Sequence, residues 1–283
     1  MSRFPVIGRR YMRVFDGGRV FRVGRLSELE DASEVFIDAL FPELYEEVLE
    51  LLRRGVKVYL LRDATKLKKL RIENNLKKSD ESDAMLLARI PKEMFRPLMV
   101  EEIEIKIKVE PLIRKYRWIA RWKKTLKKFI KEGFDYNFRE AVRLMRVDEA
   151  KLSREIIRQV SGLPIYGEVY KKACEILGVK KSIELAILAI ELPLYLRLTK
   201  LKKILGLIPN KNEGKYNHKL RAHVANLATS LYLSVKKGVS VSDKVAEIVK
   251  HLPRRQAILR LELMALKALK AAYSTTTNPI TGG

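Results

Sequence analysis

Strand-like patterning is confined to the first third of this chain, and that asymmetry narrows the folds open to it more than any other feature. Up to about residue 96, short apolar runs alternate with turn residues around one amphipathic helix. From Pro97 onward the periodic segments repeat at helical spacing. The chain is therefore expected to join an α/β domain to an all-α remainder. Its 283 residues allow two or three packed units, and 47% apolar content is enough for their cores.

In the first third, Tyr11 to Leu26 reads as a hairpin, with Asp16-Gly17-Gly18 turning between alternating apolar residues. Residues 33–40 (SEVFIDAL) read as a buried strand carrying Asp38 near its carboxyl end. Glu43 to Arg54 follows as an amphipathic helix closed by Gly55, and Val56 to Leu61 as the next strand. Strand, helix, strand implies a parallel pair, and ligands of such sheets collect beyond the carboxyl ends of the strands. A basic link, residues 62–78, then leads into KKSDESDAMLLARI. Ser79 suits the N-cap of a helix on which Asp80 and Asp83 lie one turn apart on one face. Two carboxylates so spaced can hold one hard cation. The simpler alternative is a capped, solvated helix start.

Lys and Arg number 58 against 34 acids, a formal charge of +24. Such an excess calls for a polyanion, and nucleic acid is the default, bound through counterion release. Nine of the cations fall between Arg114 and Lys131, where a heptad-like spacing (Leu112, Tyr116, Ile119, Leu126, Ile130, with Lys123 as the exception) suggests a long basic helix or coiled coil. Arg117, Arg121, Lys124 and Lys128 are its candidate nucleic-acid contacts. Trp118 and Trp122 lie one turn apart on it. At helical spacing such a pair packs more often than it stacks on bases, so packing is the expectation and stacking the alternative. Residues 138–160 read as a second helix returning along the first.

Further on, YKKACEILGVKKSIELAILAIEL reads as helix, turn, helix. It suits either a helix-hairpin-helix, whose second helix start holds a phosphate beside Lys180 and Lys181, or an ordinary core hairpin. After LKKILGLIPNKNEG, a helix begins that carries Lys215, His218, Lys219 and Arg221 in its first turns. They are phosphate contacts or a solvated basic face. The tail YSTTTNPITGG reads as extended. Cys174, the one cysteine, reads as a small buried apolar residue and excludes an intrachain disulfide or a cysteine-built zinc site. No run of about eighteen apolar residues exists, and no apolar signal core, so no membrane span is expected and a cytoplasmic location is. The Lys, Arg and Glu surplus with a single Cys fits a thermophile.

Three segments resemble the DEDD-type insertion-sequence transposases, which join a RuvC-like domain to a helical transposase domain and use a bridge RNA. VFIDALFPELYEEVLELLRRGVKVYLLRDAT is similar to the family's strand with the second acid and the helix and strand after it. KSDESDAMLLARI is similar to its Lys-Thr-Asp-x-x-Asp-Ala motif. EILGVKKSIELAILAIELPLYLRLTKLKKILGLIPNKNEGK follows its run from helical hairpin to Gly-Lys. The resemblance implies that Asp38, Asp80 and Asp83 are metal-binding acids, with Asp16 as the candidate for the first. It departs at Lys180, where a second Gly is expected, and at Asn212-Glu213-Gly214-Lys215, where the nucleophilic Ser is missing. GKYNHKLRAHVANLATSLYLSV also resembles the Nop domain of box C/D ribonucleoproteins and of the RNA-guided TIGR-Tas proteins.

Together these imply an abbreviated RuvC/RNase H-like domain (1–95), a basic helical stalk (96–165) and a helical Nop/transposase-like RNA-binding domain (166–283). The implied function is RNA-guided DNA binding with metal-dependent DNA cleavage. Asp38, Asp80, Asp83 and Asp16 would hold Mg²⁺ or Mn²⁺, and a guide RNA, target DNA and a second copy of the chain would be partners. A transposase or recombinase and a nuclease-inactive RNA-binding scaffold are the alternatives. Convergence of Asp16 on the other acids discriminates the nuclease from the scaffold.

Overall fold

The computed structural model describes residues 1–7, 12–63, 65–134, 136–208 and 216–277. The chain divides into two compact units between Glu110 and Pro111, the first mixed α/β and the second helical. Residues 96–110 thus belong with the sheet. The helices after Pro111 group with the C-terminal helices in the second unit.

The first unit holds a six-stranded sheet: β1 (Ser2–Ile7), β2 (Met12–Phe15), β3 (Val20–Val23), β4 (Glu34–Ile37), β5 (Lys57–Leu61) and β6 (Phe95–Pro97), in the order β3-β2-β1-β4-β5-β6. β1, β2 and β3 form an antiparallel meander, β4 and β5 run parallel to β1, and β6 closes the edge antiparallel. The hairpin and the parallel pair follow the sequence reading. β1 does not, because a Pro inside a run argues against an interior strand. Its pairing with β4 covers only Ser2 and Arg3, so Pro5 lies beyond the paired stretch on that side.

Period-two alternation divides the sheet residues between two cores. Val14, Val35, Ile37 and Val58 pack on one face against Val48 and Leu51 of α1 (Tyr45–Arg53) and Ile103 of α4 (Val100–Glu104). Val6, Phe36 and Leu61 pack on the other against Leu67 of α2 (Thr65–Glu73) and Ala84 and Leu87 of α3 (Asp80–Leu87). On this second face Phe4, Phe36 and Tyr59 stack across three strands, centroids 5.1 and 4.8 Å apart. α2 lies inside the segment that reads as a basic link. Asp63 starts it, its Oδ1 accepting from the Thr65 amide at 3.0 Å and hydroxyl at 2.7 Å.

The second unit contains α5 (Glu110–Lys131), α6 (Phe138–Ser161), α7 (Pro164–Leu177), α8 (Ile183–Glu191), α9 (Leu198–Ile204), α10 (His218–Lys236), α11 (Asp243–His251) and α12 (Arg254–Thr277). α6 returns along α5, as expected: Lys123 pairs with Glu149, and Phe129 meets Phe138 at 6.1 Å. α12 packs against α7 and α10. It continues through Thr277 where the sequence suggested extended chain, because the Thr275 and Thr276 hydroxyls donate back to the Ala272 carbonyl and satisfy themselves within the helix. The rest of the tail lies outside the described residues. Among the described residues no helix is long and apolar enough to cross a membrane.

Gly178 ends α7 in the left-handed region at φ +69°, and a Cβ there would fall 2.1 Å from the Ser242 amide nitrogen. Gly55 also has positive φ, +83°, but faces open space. Gly55→Ala should therefore cost about 1–2 kcal/mol, the intrinsic cost of a left-handed residue, and Gly178→Ala clearly more, because backbone must move as well. Urea unfolding of the two variants checks this, and equal losses would contradict it.

Candidate functional site

Asp38 is the residue directly after β4. Continuing the alternation of that strand, it falls on the face of Phe36, which is the face covered by α3. On α3, Ser79 caps the first turn, its side chain accepting from the Ser82 amide at 3.1 Å. Asp83 sits one turn before Leu86 and Leu87 on the packed side and is 7% exposed, whereas Asp80 is exposed at the helix start. Burial pushes the Asp38 carboxyl up to about 6, against the pull of the backbone amides at Asp38 and Ala39, and the charges of Asp83 and Asp80 push it the same way. The three acids expected to work together are thus within one another's field.

Asp83 is also raised, first by burial, while Arg71 and Lys78 oppose the shift. Arg71 comes from α2, and its Nε lies 3.2 Å from Asp83 Oδ1. The sequence reading missed this cation. A signal was present in Asp63 and Thr65 opening a helix with Leu67 one turn before Arg71. Oδ1 of Asp38 is buried with no hydrogen-bond partner among the described residues.

Asp16 stays apart. Its Oδ1 accepts from the Gly18 and Arg19 amides, both at 3.0 Å, and Arg3 Nη1 lies 3.2 Å from its Oδ2. Those amides, with Arg3 and Arg19, hold the carboxyl below its ordinary range. Phe4 pairs with Phe15, which puts Asp16 opposite Arg3, and Arg3 pairs with Val35. Asp16 is therefore level with a residue three positions before Asp38, about 10 Å back along the strand direction at ~3.3 Å per residue, and two strands across. It belongs to the turn. No acid of β1 takes its place: that strand reads SRFPVI, and Val6 occupies the α3 face.

Among the described residues, no three His, Cys, Asp or Glu side chains gather closely enough to hold a metal ion. Asp38 and Asp83, with Asp80 at the rim, nevertheless fit one hard cation in their chemistry: oxygen donors only, an unpartnered buried oxygen on Asp38, and an Asp38 carboxyl raised by burial and by the charges of Asp83 and Asp80. His218 is exposed and His223 buried, so the two do not converge.

The expected nucleic-acid contacts separate into two groups. Arg117 donates Nη1 and Nη2 to Glu191 at 2.8 and 2.6 Å and Nε to His223 Nε2 at 3.0 Å, while His223 Nδ1 meets Glu184. With Nε2 accepting from Arg117, Nδ1 is the nitrogen turned to Glu184, so the imidazole and the guanidinium together link Glu184 and Glu191. Arg221 pairs with Glu262, which is 2% exposed, at 2.6 Å. Both arginines thus serve internal structure. The sequence held a clue in Glu262, an acid amid the apolar positions Leu261, Ala265 and Leu266. Arg121, Lys124, Lys128, Lys180, Lys181, His218 and Lys219 are exposed as expected, with His218 against Tyr216 at 4.1 Å. Lys215 and the missing-serine segment before it lie outside the described residues.

No protein-family model matches this chain, and no curated protein matches it.

Two outcomes follow from these environments. An acid whose folded pKa lies above its unfolded value of 3.8 binds more protons folded than unfolded, so its contribution destabilises as pH rises through about 6. In chelated protein, Asp38→Asn should therefore be more stable than wild type at pH 7, by at most ~3 kcal/mol, and the difference should vanish near pH 4. Denaturant midpoints at both pH values measure it. Arg221→Met should cost about 3–5 kcal/mol by leaving Glu262 buried and unpaired, and Arg221→Met/Glu262→Leu should recover most of the loss. If the single variant unfolds at the wild-type midpoint, Arg221 is not engaged internally.

Proposed function

We propose that this chain is an RNA-guided DNA-binding protein in which an RNase H-like unit is joined to a helical RNA-binding unit. The observation that carries the reading is how the cations are used. Arg117, Arg221 and Arg71 neutralise internal acids, while Arg121, Lys124, Lys180, Lys181 and Lys219 remain exposed on a chain of net charge +24. A nucleic-acid backbone is the ligand that answers such a surface. The sheet supports the RNase H-like part: a meander extended by parallel strands, with Asp38 after β4 and Asp80 and Asp83 on the helix packed against the same face. The resemblance to bridge-RNA-guided transposases and Nop-domain TIGR-Tas proteins supplies the guided character. Without a serine between Ser182 and Ser230, strand exchange through a serine phosphoester has no nucleophile.

A second reading, a metal-dependent nuclease, is favoured by the orphaned oxygen of Asp38 and its like-charged neighbours. Mg²⁺ or Mn²⁺ held there would polarise a phosphodiester and acidify a water. Asp38 and Asp83 would ligate, Asp80 would reach from the rim, and Arg71 would hold Asp83 ionised. Against full two-metal chemistry stands the lack of an acid on β1 and the engagement of Asp16 at its turn.

The test is to purify the protein with its RNA and offer it duplex DNA matched or unmatched to that RNA, with and without Mg²⁺ or Mn²⁺. Matched DNA should be retained and remain uncut. Equal retention of both duplexes would refute guiding. Metal-dependent scission that Asp80→Ala abolishes would establish the nuclease instead.

A further inference from the structure

Trp118 and Trp122 project from α5 into solvent, 59% and 44% exposed, with ring centroids 5.9 Å apart in an edge-to-face arrangement. Packing, the expectation for such a pair, is therefore not their role: the packed side of α5 is carried by Ile113 and Ile119. Phe129, 38% exposed, lies on the same side where it meets Phe138 of α6, and at about 100° per residue the three side chains fall within about 40° of one another. Beside them Arg114, Arg121 and Lys128, seven residues apart, form a parallel basic row. Arg114 and Arg121 have no ion pair among the described residues, and Lys128 has only an exposed pairing with Glu132 at 3.5 Å.

We propose that this face is a stacking platform for a single-stranded segment of the bound RNA. The aromatic row meets bases and the basic row meets their phosphates. This deepens the RNA-binding reading above and rests on it. Two bulky indoles left in water on a surface helix call for a partner, and the helix determines which kind. α5 carries nine Lys and Arg against Glu110 alone, so the partner is a polyanion. Every base offers a π-face to an exposed indole, whereas a duplex hides its bases and offers phosphates only. A second copy of the chain is disfavoured because a two-fold contact would set this basic row against itself.

The chain contains two tryptophans, both on this face, so its intrinsic indole emission reports on the platform alone. The full-length protein is titrated with a fluorescein-labelled oligouridylate and with an RNA duplex of equal length. Anisotropy follows binding and indole emission follows stacking. The oligouridylate should quench the emission in step with its anisotropy, and the duplex should bind without quenching. Trp118→Ala/Trp122→Ala should weaken oligouridylate about tenfold or more with duplex affinity unchanged, and Trp118→Phe/Trp122→Phe should restore most of it. Arg121→Ala/Lys128→Ala should flatten the salt dependence by about 1.4 in log–log slope, ~0.7 for each single-strand phosphate that is no longer neutralised. Oligouridylate binding with unchanged emission would overturn the platform and leave RNA binding standing. Failure of both probes to bind would overturn RNA binding itself and the platform with it. A mass that rises with concentration in sedimentation, and returns to monomer in Trp118→Ala/Trp122→Ala, would assign the face to a second copy and overturn the proposal.

Discussion

A chain with 58 cations against 34 acids can fold only if each cation near an interior meets an acid there, and the two units of this protein meet that requirement differently. In the helical unit the pairing is close. Glu191 receives both amino groups of Arg117, Glu262 receives Arg221, and Glu149 receives Lys123. In the sheet unit the sign is reversed at one place. Under α3, Asp38 feels the charges of Asp83 and Asp80, Arg71 meets Asp83, and Asp38 has no ion pair among the described residues. The interior cations of the helical unit are thus paired with acids while its exposed ones are not, and in the sheet unit the buried like charges are carboxylates.

That division explains how far the sequence could be read. The β2–β3 hairpin, the β4-α1-β5 unit and the Ser79-capped helix were legible because each is written in local terms: Gly17 at a turn, an apolar alternation, a cap three residues before its partner. β1 was not, since Pro5 breaks the strand signal, and its place in the sheet also depends on β4, more than 30 residues away in sequence. α2 was hidden by its own charge. Dense in Lys and Arg, it reads as a linker, and Leu67, buried by tertiary packing with Leu70 beside it, makes it a helix with an inside. The roles of Arg117 and Arg221 were illegible for a related reason. A basic side chain at a helix start looks the same in sequence whether it faces solvent or an acid on another helix, and Glu262 is 41 residues away from Arg221.

The site divides along the same line. Asp80 and Asp83 follow from one turn of helix, and Asp38 from the strand that carries it. Bringing them into one field needs the long-range pairing of the sheet. Asp16 had a local explanation that outweighed any distant one. An Asp before Gly-Gly closes its own turn by accepting backbone amides, and here it does, with Arg3 across the ladder. An acid so engaged is held at the turn by its amides and by Arg3 beside it.

What remains is why the sheet keeps Asp38 at all. The core on that face is built from residues such as Phe36, Val6 and Leu87, Asp38 Oδ1 has no hydrogen-bond partner among the described residues, and its carboxyl is raised to about 6 by burial and by Asp83 and Asp80. A core that needed only to be stable would do better with an apolar or amide side chain there. Local electrostatic strain of this kind accumulates where a ligand relieves it, and the ligand that relieves crowded carboxylates is a cation. Asp38 and Asp83 supply the charge for one, and Val6 on β1 supplies no third donor. On the metal-dependent reading proposed above, Asp38 and Asp83 would attract one divalent ion, and β1 would offer no acid to help position a second across a scissile phosphate.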